Sequence, residues 1–148
     1  RMIGRLLQAR QFWRIAMPID MSTLTVGAAY SRDELARRWG YRSGTAITKG
    51  VCGSRPDARL VLFVTLNKSS NQPQYDDRLE GSRLFWEGES AHGHDARIAA
   101  TRESGEELHL FLRENPGEDF TYLGTLELES VVFKADAPSR FVFRLLDA

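Results

Sequence analysis

The sequence predicts an α+β fold, a curved or closed β-barrel with flanking helices. Three observations point there: helix signals confined to the N-terminal part, several strand-like segments from Leu60 onward, and Gly- and Pro-containing turns between them. At 148 residues the chain has the size of one domain, enough to bury a core without disulfides or a structural metal.

Residues 1 to 17 set Ile3, Leu6, Leu7, Phe12, Trp13 and Ile15 among Arg5, Arg10 and Arg14, a pattern that fits an amphipathic helix ending before Pro18. We therefore divide the chain into an N-terminal helical extension over residues 1–29 and a main domain over residues 30–148. Ser31 followed by Glu34 makes a capping box, because the serine hydroxyl can accept from the N3 amide while the glutamate reaches back to the cap amide. With Gly40 suited to the C′ position, this predicts a short helix over Arg32 to Trp39. Leu60 to Leu66 is a mostly apolar run, and Leu108, Leu110 and Leu112 alternate with His109, Phe111 and Arg113, the period of a strand. Phe120 to Glu129 and Arg140 to Leu146 add two more strands, the first interrupted at Gly124, where a bulge or close backbone approach is expected. Asn115-Pro116-Gly117 and Ala137-Pro138-Ser139 are turns.

Lys plus Arg balance Asp plus Glu at 20 each, so affinity for a polyanion would have to come from asymmetric placement of charge. Cys52 is the single cysteine, which excludes an internal disulfide and, with no signal-like segment, suits a reducing cytoplasm. The N-terminal apolar stretch is broken by Arg10 and Arg14, so no membrane partner is expected. A start at Arg1 instead of methionine suggests a piece of a longer polypeptide.

The chemistry concentrates between Leu60 and Glu89. An apolar strand there leads into a polar segment holding Tyr75, Asp76 and Asp77, followed by Phe85, Trp86 and Glu87. Aromatic rings and carboxylates at a barrel rim are the parts needed to hold a planar, hydrogen-bonding ligand such as a nucleobase, stacked on rings while a carboxylate accepts from an exocyclic amine. The same rings also suit a hydrophobic cover for the barrel end, and both readings stand at this point. Phosphates would be met by Lys49, Lys68, Arg78, Arg83, Arg97 and Arg102 around this segment, with Ser69, Ser70 and Asn71 as a polar loop that equally makes a simple turn.

Other chemistry is weaker. His92, His94 and Asp95 read as a solvated loop in preference to a metal site, His109 as a core-edge or surface residue, and Cys52 as a buried structural thiol. With no Walker loop, GxSxG elbow, HExxH or CxxC pair, no catalytic residue, metal or cofactor is expected.

The segments YSRDELARRWG, Gly50-Val51, LFVTLNKS, YDD, LFWEGES, LHLFLRE and FTYLGTLELES, in this order, resemble the C-terminal target-recognition domain of modification-dependent (type IV) restriction proteins that combine a phospholipase-D-type nuclease with a helicase. That domain belongs to the broad group of SRA- and PUA-like barrels, and the resemblance spans roughly residues 30–146. It implies a non-catalytic reader of 5-methylcytosine or 5-hydroxymethylcytosine in double-stranded DNA that turns the base out into a pocket. It also implies linked or associated nuclease and helicase domains. Tyr75, Asp76 and Trp86 are the positions matching the stacking and base-edge roles. The glutamine-rich continuation usual after the F-W step is here Glu87-Gly88-Glu89-Ser90, which bears on base preference. The alternatives are an RNA-binding PUA-like module and a protein-interaction domain docking through the N-terminal helix.

Overall fold

The computed structural model describes residues 19–41, 47, 50–53, 58–67 and 77–147. Its elements are β1 (Ala29–Tyr30), α1 (Arg32–Arg38), β2 (Val51–Cys52), β3 (Arg59–Thr65), β4 (Arg78–Glu80), β5 (Arg83–Glu87), α2 (Asp95–Ala99), α3 (Thr101–Ser104), β6 (Glu107–Arg113), β7 (Phe120–Val132) and β8 (Arg140–Leu145). The predicted helix over residues 1–17 lies outside the described residues.

The strands form one sheet in the order β2-β3-β6-β7-β8-β5-β4, with β1 added on β7. Every pairing is antiparallel except β3 with β6, a parallel pair whose crossover carries β4, β5, α2 and α3. Among the described residues no pairing joins β2 to β4, so the hydrogen-bonded path is open. Strands from both ends of that path nevertheless contribute to one apolar cluster, in which Val51 and Leu62 share a core with Leu84, Trp86 and Phe143. That is the mark of a sheet curled around its own interior. The opposite face of β3, β6 and β7 forms a second core, where Phe63, Phe111, Phe120 and Tyr122 meet Leu35, Ala36 and Trp39 of the α1 region. With both faces covered, β3 is buried from Leu60 to Thr65, which explains its near-continuous apolar sequence.

One long strand serves both cores because it is bulged twice. Phe120 and Tyr122 face the helix-side core, whereas Leu126 and Leu128, also at even positions, face the barrel interior. The register slips between them, Leu110 pairing with Gly124 and Phe111 with Tyr122, so that Leu123 is the extra residue and the phase inverts. A second slip at Glu129, between Leu128 and Ser130, inverts it again. Gly124 has φ +88°, and an added Cβ would collide with the Asp147 carboxylate. Oδ2 of that carboxylate already accepts from the Thr125 N–H at 2.9 Å and the Thr125 hydroxyl at 3.1 Å. Gly124→Ala is therefore expected to cost about 1–3 kcal/mol, read as a lowered urea midpoint; an unchanged midpoint would show that the bulge relaxes freely.

The Ser31 cap is present, its Oγ accepting from the Glu34 N–H at 3.1 Å, and Gly40 follows the helix at φ +83°. The Glu34 carboxylate instead reaches forward to Arg38 at 2.7 Å, the favourable i,i+4 direction. The strands expected from Leu60, Leu108, Phe120 and Arg140 all form, with boundaries shifted by a few residues at most. Residues 78–87, where no strand was expected, make the β4–β5 hairpin around Gly81 and Ser82, with φ +60° at the glycine. No helix among the described residues is long and apolar enough to cross a membrane.

Candidate functional site

The end of β5 gathers what the structure describes of the aromatic and acidic segment. Antiparallel pairing aligns Glu87 with Arg140 and Arg140 with Val132, and Trp86 with Phe141 and Phe141 with Val131. Arg78, at the start of β4, lies opposite Phe85. One end of the sheet thus carries Asp77, Phe85, Trp86 and Glu87, bordered by the β7–β8 turn. Tyr75 and Asp76 lie outside the described residues.

Strand alternation divides these residues between two faces. Trp86 points inward and is only 6% exposed, its ring centroid 5.5 Å from that of Phe141 and 6.1 Å from that of Phe143. It packs on phenylalanines in the barrel interior, where the sequence left open both a ring stacking on a ligand and a hydrophobic cover of the barrel end. Phe85 and Glu87 lie on the other face. The Arg78 guanidinium sits 4.2 Å from the Phe85 ring centroid, and Glu87 pairs with Arg140 at 3.5 Å. Asp77 Oδ1 accepts the Glu87 backbone N–H at 2.9 Å, fixing the approach to β4 against β5.

Among the described residues, the four arginines expected to meet phosphates all have partners within the fold. Arg78 pairs with Glu80 and Arg83 with Glu129, each at 2.8 Å on the surface. Such pairs are worth about 0–1 kcal/mol and can be exchanged for a phosphate at little cost. Arg97 and Arg102 differ. Arg97 makes a two-pronged contact with Glu106, both side chains nearly buried, at distances of 2.7–3.1 Å. Arg102 donates to the Leu128 and Glu129 carbonyls at 2.5–2.9 Å, satisfying the backbone where the second bulge disturbs the ladder. Lys49, Lys68, Ser69, Ser70 and Asn71 lie outside the described residues.

The histidine segment is more ordered than a solvated loop. His92 Nδ1 lies 2.8 Å from Asp95 Oδ2 and His94 Nδ1 2.7 Å from Glu89 Oε1, and helix α2 begins at Asp95. Among the described residues, no group of three or more His, Cys, Asp and Glu is arranged to hold a metal ion. Cys52 is half-buried.

His109, expected at the core edge or on the surface, is buried at the centre of a polar chain that reaches solvent at Glu107 and Arg59. It is 3% exposed, with Nδ1 2.8 Å from the Tyr122 hydroxyl and Nε2 2.9 Å from Glu107 Oε1, and Arg59 holds that same oxygen at 3.0 Å. The arrangement fits a neutral imidazole that donates from Nε2 and accepts from the phenol. Burial lowers the His109 pKa, against the pull of Glu107, while the bond from His109 holds the Glu107 carboxyl below its usual value. Burial, reinforced by Asp147, pushes the Tyr122 phenol up to about 12. The signs set the pH dependence. The two lowered groups contribute stability above their ordinary values of 6.5 and 4.5, lost as pH falls through that range and below. Tyr122 contributes stability below its ordinary value of 10.0, lost as pH rises from there toward 12. Denaturation midpoints should fall on both sides, and Tyr122→Phe should flatten the alkaline limb; an alkaline limb identical in the variant would contradict the assignment.

The sequence model of a family described as "Domain of unknown function (DUF3427)" matches residues 24–139. Among solved structures, the chain is similar to the SRA domain of SUVH5 in complex with hemimethylated CG DNA, with a TM-score of 0.57 and 14% identity, covering 85% of this chain and 91% of that one. It is also similar to the DNA modification-dependent restriction endonuclease AspBHI, with a TM-score of 0.50 and 16% identity, covering 82% of this chain and 74% of that one. No curated protein matches. At these identities the likeness is one of fold, and the α+β fold is SRA-like.

Proposed function

Since the chain belongs to the DUF3427 family and has an SRA-like fold, we propose that it is a DNA-binding module reading modified cytosine, as the target-recognition part of a modification-dependent restriction system. The observation that carries this reading is the fold shared with a domain crystallised on hemimethylated CG DNA and with a modification-dependent endonuclease. The grouping of Asp77, Phe85, Trp86 and Glu87 at one sheet end supports it further. In this reading 5-methylcytosine or 5-hydroxymethylcytosine turns out of the duplex and lies against Tyr75, with Trp86 as the wall behind. Asp76, Asp77 or Glu87 accepts from its exocyclic amine. Lys49, Lys68 and the Ser69–Asn71 segment, with Arg78 and Arg83 released from their surface glutamates, meet the backbone. Arg97 and Arg102 keep their internal partners and act by holding the fold.

The energetics are balanced. Turning out a base costs a few kcal/mol, while base–aromatic stacking returns about 1–3 kcal/mol per base. Burying one methyl adds about 0.8 kcal/mol, enough to bias binding and too little to exclude plain cytosine. The nuclease and helicase are assigned to linked or associated domains in the cytoplasm. The test is competition between a methylated duplex and an RNA of equal length over a salt series. The reading expects duplex preference and a log affinity falling linearly with log salt. Preferential RNA binding would move the assignment to an RNA-binding module, and no salt-dependent affinity at all would move it to a protein-interaction domain.

A further inference from the structure

Where β7 runs into the turn to β8, the structure leaves two neighbouring hydrophobic side chains in solvent, Val132 at 57% and Phe133 at 59% exposed. Single exposed apolar residues are ordinary. The anchoring beneath this pair is what sets it apart. Ser139 is 1% exposed; its Oγ accepts the Lys134 N–H at 3.2 Å, and its carbonyl accepts the Gly88 N–H at 2.8 Å. The turn is thereby fixed both across itself and to the residue following β5. Strand pairing continues up to Val132 with Arg140, directly beside Glu87. The fold therefore holds an aromatic ring out at the sheet end that carries Asp77, Phe85 and Glu87. Cationic side chains flank it: Lys134 in the turn and Arg140, whose side chain is 57% exposed and whose pair with Glu87, at 3.5 Å, is long enough to be exchanged for a phosphate at little cost. Asp136 is the one acidic residue of the turn.

We propose that the β7–β8 turn is a wedge that enters the base stack of duplex DNA beside the recognised nucleotide, with Phe133 inserted and Val132 behind it. Lys134 and Arg140 then meet the phosphates on either side. The proposal rests on the reading of duplex DNA as partner and adds an element absent from the residues assigned above. An apolar side chain pushed between base steps partly replaces the stacking it disrupts, and a pre-anchored turn loses little conformational freedom on doing so.

The experiment compares the full chain with Phe133→Ala and Phe133→Leu on a duplex carrying one 5-methylcytosine next to 2-aminopurine, on its unmethylated counterpart, and on the same methylated strand without its complement. Because residue 133 is exposed, thermal midpoints should be unchanged. The wedge predicts that Phe133→Ala loses about tenfold in affinity for the methylated duplex. It also predicts loss of the 2-aminopurine fluorescence rise, full affinity for the single strand, where no stack must be opened, and partial rescue by Phe133→Leu. Unchanged duplex affinity and fluorescence, or equal losses on duplex and single strand, would overturn it. A wild-type chain that binds both duplexes equally, with Phe133→Ala still losing on both, would remove the modified-base reading and leave the wedge standing.

Discussion

Replacing Trp86 with alanine is expected to destabilise the fold by about 3–5 kcal/mol. Its ring lies in the barrel interior against Phe141 and Phe143, in a cluster that takes residues from nearly every strand. Truncation removes the largest side chain of β5 and leaves a cavity that paired strands cannot close, because each neighbour is held by its ladder. Denaturant unfolding reads this directly, and a loss below about 1 kcal/mol would mean that the ring lies near solvent. A reduced affinity in the alanine variant would therefore mix unfolding with any loss of a pocket wall. Trp86→Phe keeps an aromatic wall at smaller cost and is the better probe of binding.

Glu106→Ala should destabilise by about 3–5 kcal/mol, the range for removing one partner of a buried ion pair. Arg97 is 10% exposed and Glu106 15%, and their two-pronged contact ties α2 to the approach of β6. Removing the carboxylate costs more than the pair's net worth, because the guanidinium keeps its desolvation without its bidentate partner. The double variant Arg97→Met with Glu106→Leu should recover much of the loss. A small effect of Glu106→Ala, with no recovery in the double variant, would show that the pair is solvated.

The legible parts of the fold were those with a local cause. Ser31 caps because a hydroxyl three residues ahead of an amide does so anywhere, and Gly124 marked a bulge because its neighbours are β-formers. The second bulge, at Glu129, has no such residue type. It is fixed by Arg102 reaching across from α3 to the freed carbonyls, a long-range cause. The same distance hid the arginine roles. Arg83 and Arg102 read as available cations in sequence, yet their partners lie on β7, 46 and 26 residues away. Residue type announced the charge and could not announce what it meets. The burial of Trp86 was recoverable in principle, since Leu84 shares its parity, but only if residues 83–87 had been read as a strand. The hairpin was concealed because its first strand, Arg78–Glu80, is only three residues long and mostly charged, too short to show an alternating pattern. Conversely, no local signal told that the Phe133 ring would be left outside, since Val131, Val132 and Phe133 read as one apolar run.

The ratio of dissociation constants between otherwise identical duplexes carrying cytosine, 5-methylcytosine or 5-hydroxymethylcytosine at one position, measured at a single salt concentration, tests the central claim most directly. The account predicts that at least one modified duplex binds tighter by about fourfold or more, the factor that one buried methyl supplies. Equal constants for all three would contradict it.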